Sequence, residues 1–259
     1  MPTQTEISKV YGELARWYRA HKFSLESDIR PKGRDPYRCL ILFLLSPRSS
    51  DARLTAVCRE FFHKYPTLGD LCLALKSREG EDDVWNVIRP LGRKKGHLHS
   101  LRSACFAISK KHAGKIPQDE ISLQAFYGIG PKISACVVAY GFGKPAVPVD
   151  GHVCRVFNRI FVCEAKEADI RECFKKALRP RDWINSHELF RAHGLAVCKS
   201  TPDCALCPLS CRSRRKPYEQ GQNLSLLRTH LEGRSREWEE WRSLLVTGSF
   251  AASEKRTAY

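Results

Sequence analysis

A chain of 259 residues is long enough to bury a sizeable core, in one large domain or in two smaller ones. Its 44 Lys and Arg against 28 Asp and Glu give a formal charge of +16, which favours a polyanionic partner, nucleic acid ahead of an anionic membrane surface. No apolar run reaches the roughly 18 residues of a membrane span, and no charged-then-apolar leader opens the chain, so the expectation is a cytoplasmic protein with no membrane partner.

Taken in chain order, Ile7, Val10, Tyr11, Leu14 and Tyr18 recur at a helical period and predict a first amphipathic helix. The run Cys39 to Leu45 is too short to cross a membrane and reads as a buried central helix. Asp51 stands where it would cap the next helix, whose inner face is Leu54, Val57, Cys58 and Phe61. Trp85 falls at helical spacing as a core residue, and Arg93, Lys94, Lys95 and His97 read as a solvated basic turn or a DNA contact. Pro131 fits the first turn of a helix that Gly141 and Gly143 close, and a further helix covers Val153 to Ile160. No stretch alternates as a half-buried strand does, so the fold class is all-α. Beyond Cys211 the composition changes. Arg212, Arg214, Arg215 and Lys216 open a polar tail carrying one short helical pattern, Trp238, Trp241 and Leu244, readable as a docking element or as disorder.

Twelve cysteines fall into two groups. Cys39, Cys58, Cys72, Cys105, Cys136, Cys154, Cys163 and Cys173 are scattered singly among apolar residues, where free cysteine serves as a small buried hydrophobe in a reducing compartment. Cys198, Cys204, Cys207 and Cys211 lie within fourteen residues as Cys-x5-Cys-x2-Cys-x3-Cys. Thiolates so close in sequence wrap one compact centre, a tetrahedral zinc or an iron–sulfur cube. A single winding loop suits the cube better than two separated pairs would.

The most informative stretch is Phe126-Tyr127-Gly128-Ile129-Gly130-Pro131-Lys132-Ile133-Ser134-Ala135. Its Gly-x-Gly turn between apolar helical segments opens backbone conformations closed to other residues, and it lets a phosphate approach amide N–H groups through Gly128, Ile129 and Gly130. An amine at Lys132, at the positive end of the following helix, is placed to act as a Schiff-base nucleophile. Asp150 follows eighteen residues later, on a loop entering the next helix, where a carboxylate takes up a proton or stabilises positive charge at a sugar carbon. The plainer alternatives are a surface phosphate contact for Lys132, an N-cap for Asp150 and a structural first-turn role for His152.

Gly-Ile-Gly-Pro-Lys followed at this spacing by Val-Asp-Gly-His resembles the helix-hairpin-helix and Gly/Pro…Asp motif of the endonuclease III superfamily of DNA glycosylases. The likeness covers roughly Asp35 to Cys211, and the motifs and cysteine cluster occur in the family's order. It implies a six-helix, barrel-like domain over 32–144 holding the hairpin, and an iron–sulfur domain built from 1–31 and 145–211. The active site would lie in the cleft between them, and 212–259 would form a C-terminal extension. By resemblance Lys132 attacks C1′ of a damaged nucleotide and Asp150 is the catalytic aspartate. Both together imply a glycosylase with AP lyase activity, on oxidised pyrimidines in duplex DNA, acting as a monomer.

The four cysteines then hold a [4Fe–4S] cluster, in a loop whose first and last gaps are shorter than the family's usual ones. Lys199 with Arg212, Arg214 and Arg215 lies on the DNA backbone. The family fills the vacated base position from two loops, and here those loops carry Arg48, in place of a glutamine, and Arg93, in place of an apolar wedge. These departures point to altered opposite-base recognition. Two other readings stand beside the first: a glycosylase for mismatches or other lesions, and a catalytically weak DNA-damage-binding protein.

Overall fold

A computed structural model describes residues 1–20, 34–47, 49–209, 239–240 and 243–245. Arg48, Cys211, Arg212, Arg214, Arg215, Lys216, Trp238 and Trp241 lie outside the described residues. Among the described residues the regular structure is helical throughout: α1 (Gln4–Ala20), α2 (Pro36–Leu45), α3 (Asp51–Lys64), α4 (Leu68–Ala74), α5 (Arg78–Ile88), α6 (Lys94–His112), α7 (Glu120–Gln124), α8 (Pro131–Cys136), α9 (Gly151–Phe161), α10 (Glu167–Ala177) and α11 (Trp183–Ala196). No described helix is long and apolar enough to cross a membrane. The chain divides into two compact units, one formed by 1–30 and 145–236, the other by 31–144 and 237–259.

The second unit is organised around α2. Asp35 caps it, accepting from the Tyr37 and Arg38 amides at 2.9 and 3.3 Å, and Pro36 supplies a fixed first turn. Every residue from Tyr37 to Leu45 is buried, so α2 packs on all sides, against α3, α6, α8 and the π-helical turn Val137–Gly141 that continues α8. Phe43 meets Tyr140 with ring centroids 5.7 Å apart. Counting α8 and its π turn as one, six longer helices and the one-turn α7 make up this unit among the described residues.

Leu244 and Leu245 lie against the start of α2. The Asp35 amide donates to the Leu245 carbonyl at 2.9 Å, and Leu244 and Leu245 are buried.

Three local expectations change. The cap of α3 is Ser50, whose hydroxyl accepts from the Arg53 amide at 3.4 Å, and Asp51 is the first helical residue. Trp85 is half-buried rather than core, with the Lys94 ammonium 5.6 Å from its ring centroid. His97 is 3% exposed and so is no part of a solvated turn, because the first turn of α6 faces inward there.

The first unit packs α1 against α10 and α11, and α9 against α11. Its core joins Ile7, Leu14 and Tyr18 of α1 to Val153, Val156 and Phe157 of α9, Phe174 of α10 and Phe190 of α11. Phe174 stands edge-on to Phe190 at 4.9 Å and to Phe157 at 5.6 Å. Burying each such ring contributes about 1.5–3 kcal/mol, so the helix ends that carry the site rest on a firm base. Of the eight scattered cysteines, Cys39, Cys58, Cys72, Cys105 and Cys136 are buried, while Cys154, Cys163 and Cys173 are half-buried.

Candidate active site

In the second unit the hairpin between α7 and α8 carries Lys132. Gly128 has φ +83°, and a Cβ there would meet Oγ and Cβ of Ser100 at 2.3 and 2.9 Å, so both backbone and space demand glycine. Gly130 is different: it caps α8 with φ −91°, and nothing lies within 4 Å of a Cβ built on it. Only one of the two glycines is therefore forced. Ile129 is buried, and its amide donates to the Phe126 carbonyl at 3.1 Å, so this residue anchors the turn inward. Gln124 Nε2 donates to Ser134 Oγ at 3.0 Å, and that hydroxyl donates to the Pro131 carbonyl at 3.1 Å, tying α7 to the first turn of α8. Lys132, the second residue of α8, is half-buried with its ammonium 5.3 Å from the Phe43 ring centroid.

Beside the hairpin stands Tyr127, 58% exposed and edge-on to His99 at 4.0 Å. An exposed aromatic next to the turn glycine was the only signal of it in the sequence. Arg93 is exposed and takes a left-handed conformation, φ 55°, at the start of α6, unusual for a residue with a side chain.

In the first unit Asp150 caps α9. Its Oδ1 accepts from the His152 and Val153 amides, both at 2.9 Å. Its Oδ2 lies 3.7 Å from Arg191 Nε of α11, with both side chains mostly buried. Arg155, one turn on, donates through Nη2 to His152 Nδ1 at 3.0 Å and to the Gly194 carbonyl at 2.9 Å, and through Nε to the Cys198 carbonyl at 3.2 Å. His152 Nδ1 thus meets a side chain of its own helix.

Arg159 reaches the cysteine loop, donating to the Lys199 and Ser200 carbonyls and, at 3.6 Å, to Cys198 Sγ. Lys199 itself is exposed. Arg155, Arg159 and Arg191 were not singled out from sequence. The i, i+4 pair on α9 was legible as a basic face, but its target, a loop about forty residues away, was not.

Cys198, Cys204 and Cys207, with Arg159, Val197, Pro202 and Asp203, line one small pocket, and none of the three is in a disulfide. Cys207 Sγ lies 3.5 Å from Nε2 of His193, whose Nδ1 is 3.4 Å from the Tyr18 hydroxyl. Burial pushes His193 down to about 4, so the ring is neutral at physiological pH. Among the described residues no three His, Cys, Asp or Glu side chains converge on a single metal position. Thiol donors spread around a pocket, with an arginine N–H directed at one sulfur, fit a polynuclear cluster, in which each sulfur binds its own iron.

Comparison with known proteins agrees with this layout. A family model described as HhH-GPD superfamily base excision DNA repair protein matches residues 41–180, more than half of the chain. Endonuclease III of Bacillus subtilis is 29% identical over 192 residues, 72% of this chain and 85% of that protein. A thymine/uracil-DNA glycosylase of Pyrobaculum aerophilum is 27% identical over 220 residues, 81% of this chain and 92% of that protein. The solved structure of a trapped endonuclease III–DNA covalent intermediate superimposes with a TM-score of 0.71 at 27% identity, covering 82% of this chain and 97% of that one. With its helical hairpin, its aspartate-capped helix and a family match across more than half its length, the chain belongs to the HhH-GPD superfamily of base excision DNA repair proteins.

Proposed function

We propose that this protein is a DNA glycosylase with AP lyase activity, working as a cytoplasmic monomer on oxidised pyrimidines in duplex DNA. One observation carries the reading: the chain keeps both an amine on the first turn of the hairpin helix, Lys132, and a carboxylate at the cap of α9, Asp150. A glycosylase without lyase activity needs only the carboxylate. The net charge of +16 supplies the attraction to the backbone.

The damaged nucleotide leaves the stack, and Arg48 and Arg93 fill the gap through their planar guanidinium groups. Lys132 Nζ then attacks C1′, and the N-glycosidic bond breaks with its electron pair leaving on the base, which takes up a proton. Asp150 stabilises the positive charge that develops on the sugar. The sugar ring opens to an iminium between Nζ and C1′, a proton leaves C2′, and the C3′–O bond breaks with the 3′ phosphate as leaving group. Gly128 shapes the turn that brings the backbone to phosphate, and Lys199 adds a phosphate contact from the cysteine loop.

Cys198, Cys204, Cys207 and Cys211 would hold a [4Fe–4S] cluster, which supplies structural cross-linking of the loop rather than chemistry at the sugar. A second reading is favoured by the thymine/uracil-DNA glycosylase relative, which spans more of this chain than the Bacillus subtilis endonuclease III does. The test is a panel of duplexes carrying thymine glycol, thymine opposite guanine, or uracil. Base loss with strand scission on thymine glycol supports the first reading, and base loss confined to the mispaired substrates supports the second.

A further inference from the structure

We propose that Arg191 is a positioning residue for Asp150, orienting the second oxygen of the carboxylate whose first oxygen caps α9. This rests on the reading of Asp150 as the catalytic carboxylate. The cap uses a single oxygen, since both the His152 and Val153 amides donate to Oδ1 at 2.9 Å. Both of these bonds end on the same oxygen. The guanidinium of Arg191, 3.7 Å from Oδ2, sets the direction of the second oxygen.

At that separation the guanidinium acts on Oδ2 through its charge. The side chains are 17% and 16% exposed, and water screens such a pair far less than it does the ion pairs of the surface.

The scaffold under Arg191 is rigid. A Cβ on Gly194, one turn further along α11, would meet the Cβ of His152 and a methyl of Val156 at 3.1 Å, so α9 and α11 touch backbone to side chain. Arg155 locks the same place by binding the Gly194 carbonyl and His152 Nδ1.

The experiment compares full-length wild type, Arg191→Met and Arg191→Lys on whichever of the thymine glycol and thymine·guanine duplexes the wild type processes. It reads the single-turnover excision rate, the affinity for a duplex holding a tetrahydrofuran abasic analogue, and the melting temperature. Arg191→Met is expected to lower excision by about ten- to a hundredfold, the scale of a misplaced catalytic group, with analogue affinity within about twofold. Arg191→Lys is expected to recover most of the rate.

Excision unchanged in Arg191→Met would overturn the positioning role while leaving the glycosylase reading intact. Affinity falling in step with excision would overturn it too, making Arg191 a phosphate contact. No excision by wild type on either duplex would overturn both.

Discussion

A Cβ placed on Gly128 would lie 2.3 Å from Oγ of Ser100, so the turn of the hairpin is pressed against the side of α6 at the one position where the backbone is also left-handed. Gly128→Ala combines a clash with conformational strain and should cost more than about 1 kcal/mol of stability. Gly130→Ala has open space and an ordinary φ and should stay within about 0.5 kcal/mol of wild type. Urea denaturation of the two variants checks the contrast, and equal losses would contradict it.

Leu244 and Leu245 carry a second prediction. Leu244 and Leu245 are 1% and 4% exposed, and the Leu245 carbonyl takes the Asp35 amide at the start of α2. Leu245→Ala should therefore destabilise the protein by about 2–4 kcal/mol, as truncation of a core leucine does. A change no larger than that of a surface substitution would mean that this segment contributes nothing to the fold.

His97 gives the acid side of the stability curve a defined contribution. Its Nε2 has no partner among the described residues, and burial holds its pKa below the ordinary 6.5. The unfolded chain then takes up a proton near 6.5 while the folded chain stays neutral, so the stability His97 carries is complete above 6.5. It is lost as pH falls towards the folded value. Urea midpoints measured from pH 7.5 to 5 should fall more steeply for wild type than for His97→Leu, and parallel curves would contradict the assignment.

Arg159 holds the cysteine loop by two backbone carbonyls and one sulfur. Arg159→Ala exchanges these bonds for water at the exposed carbonyls, at a cost of about 0.5–1.5 kcal/mol, and should reduce the iron retained per chain after purification. Iron analysis against a Cys204→Ala control decides it, and full retention in Arg159→Ala would show that the loop holds its shape without the guanidinium.

Much of the helical framework could be read from periodicity, because α1, α2 and α3 each owe their existence to a single apolar face or to complete burial, and both are patterns within one segment. Lys132 and Asp150 were legible for a similar reason, as each sits in a local signal of glycine, proline or cap. What could not be read depends on which segments meet. Ser50 and Asp51 are equally good caps on paper, and only the course of the preceding loop selects the serine. His97 looks solvated among Arg93, Lys94 and Lys95 until the first turn of α6 is seen to face the core. Arg191 lies 41 residues from Asp150, and no spacing rule links a residue of α11 to the cap of α9.

The most direct test of the central claim is borohydride trapping of wild type, Lys132→Ala and Asp150→Asn on duplexes carrying an abasic site or thymine glycol. A covalent protein–DNA adduct formed by wild type and abolished in Lys132→Ala is the predicted result. Asp150→Asn should still trap on the abasic duplex and fail on thymine glycol, since only the latter needs base departure. An adduct of undiminished yield in Lys132→Ala, or none from wild type on either duplex, would contradict the assignment of Lys132 as the nucleophile.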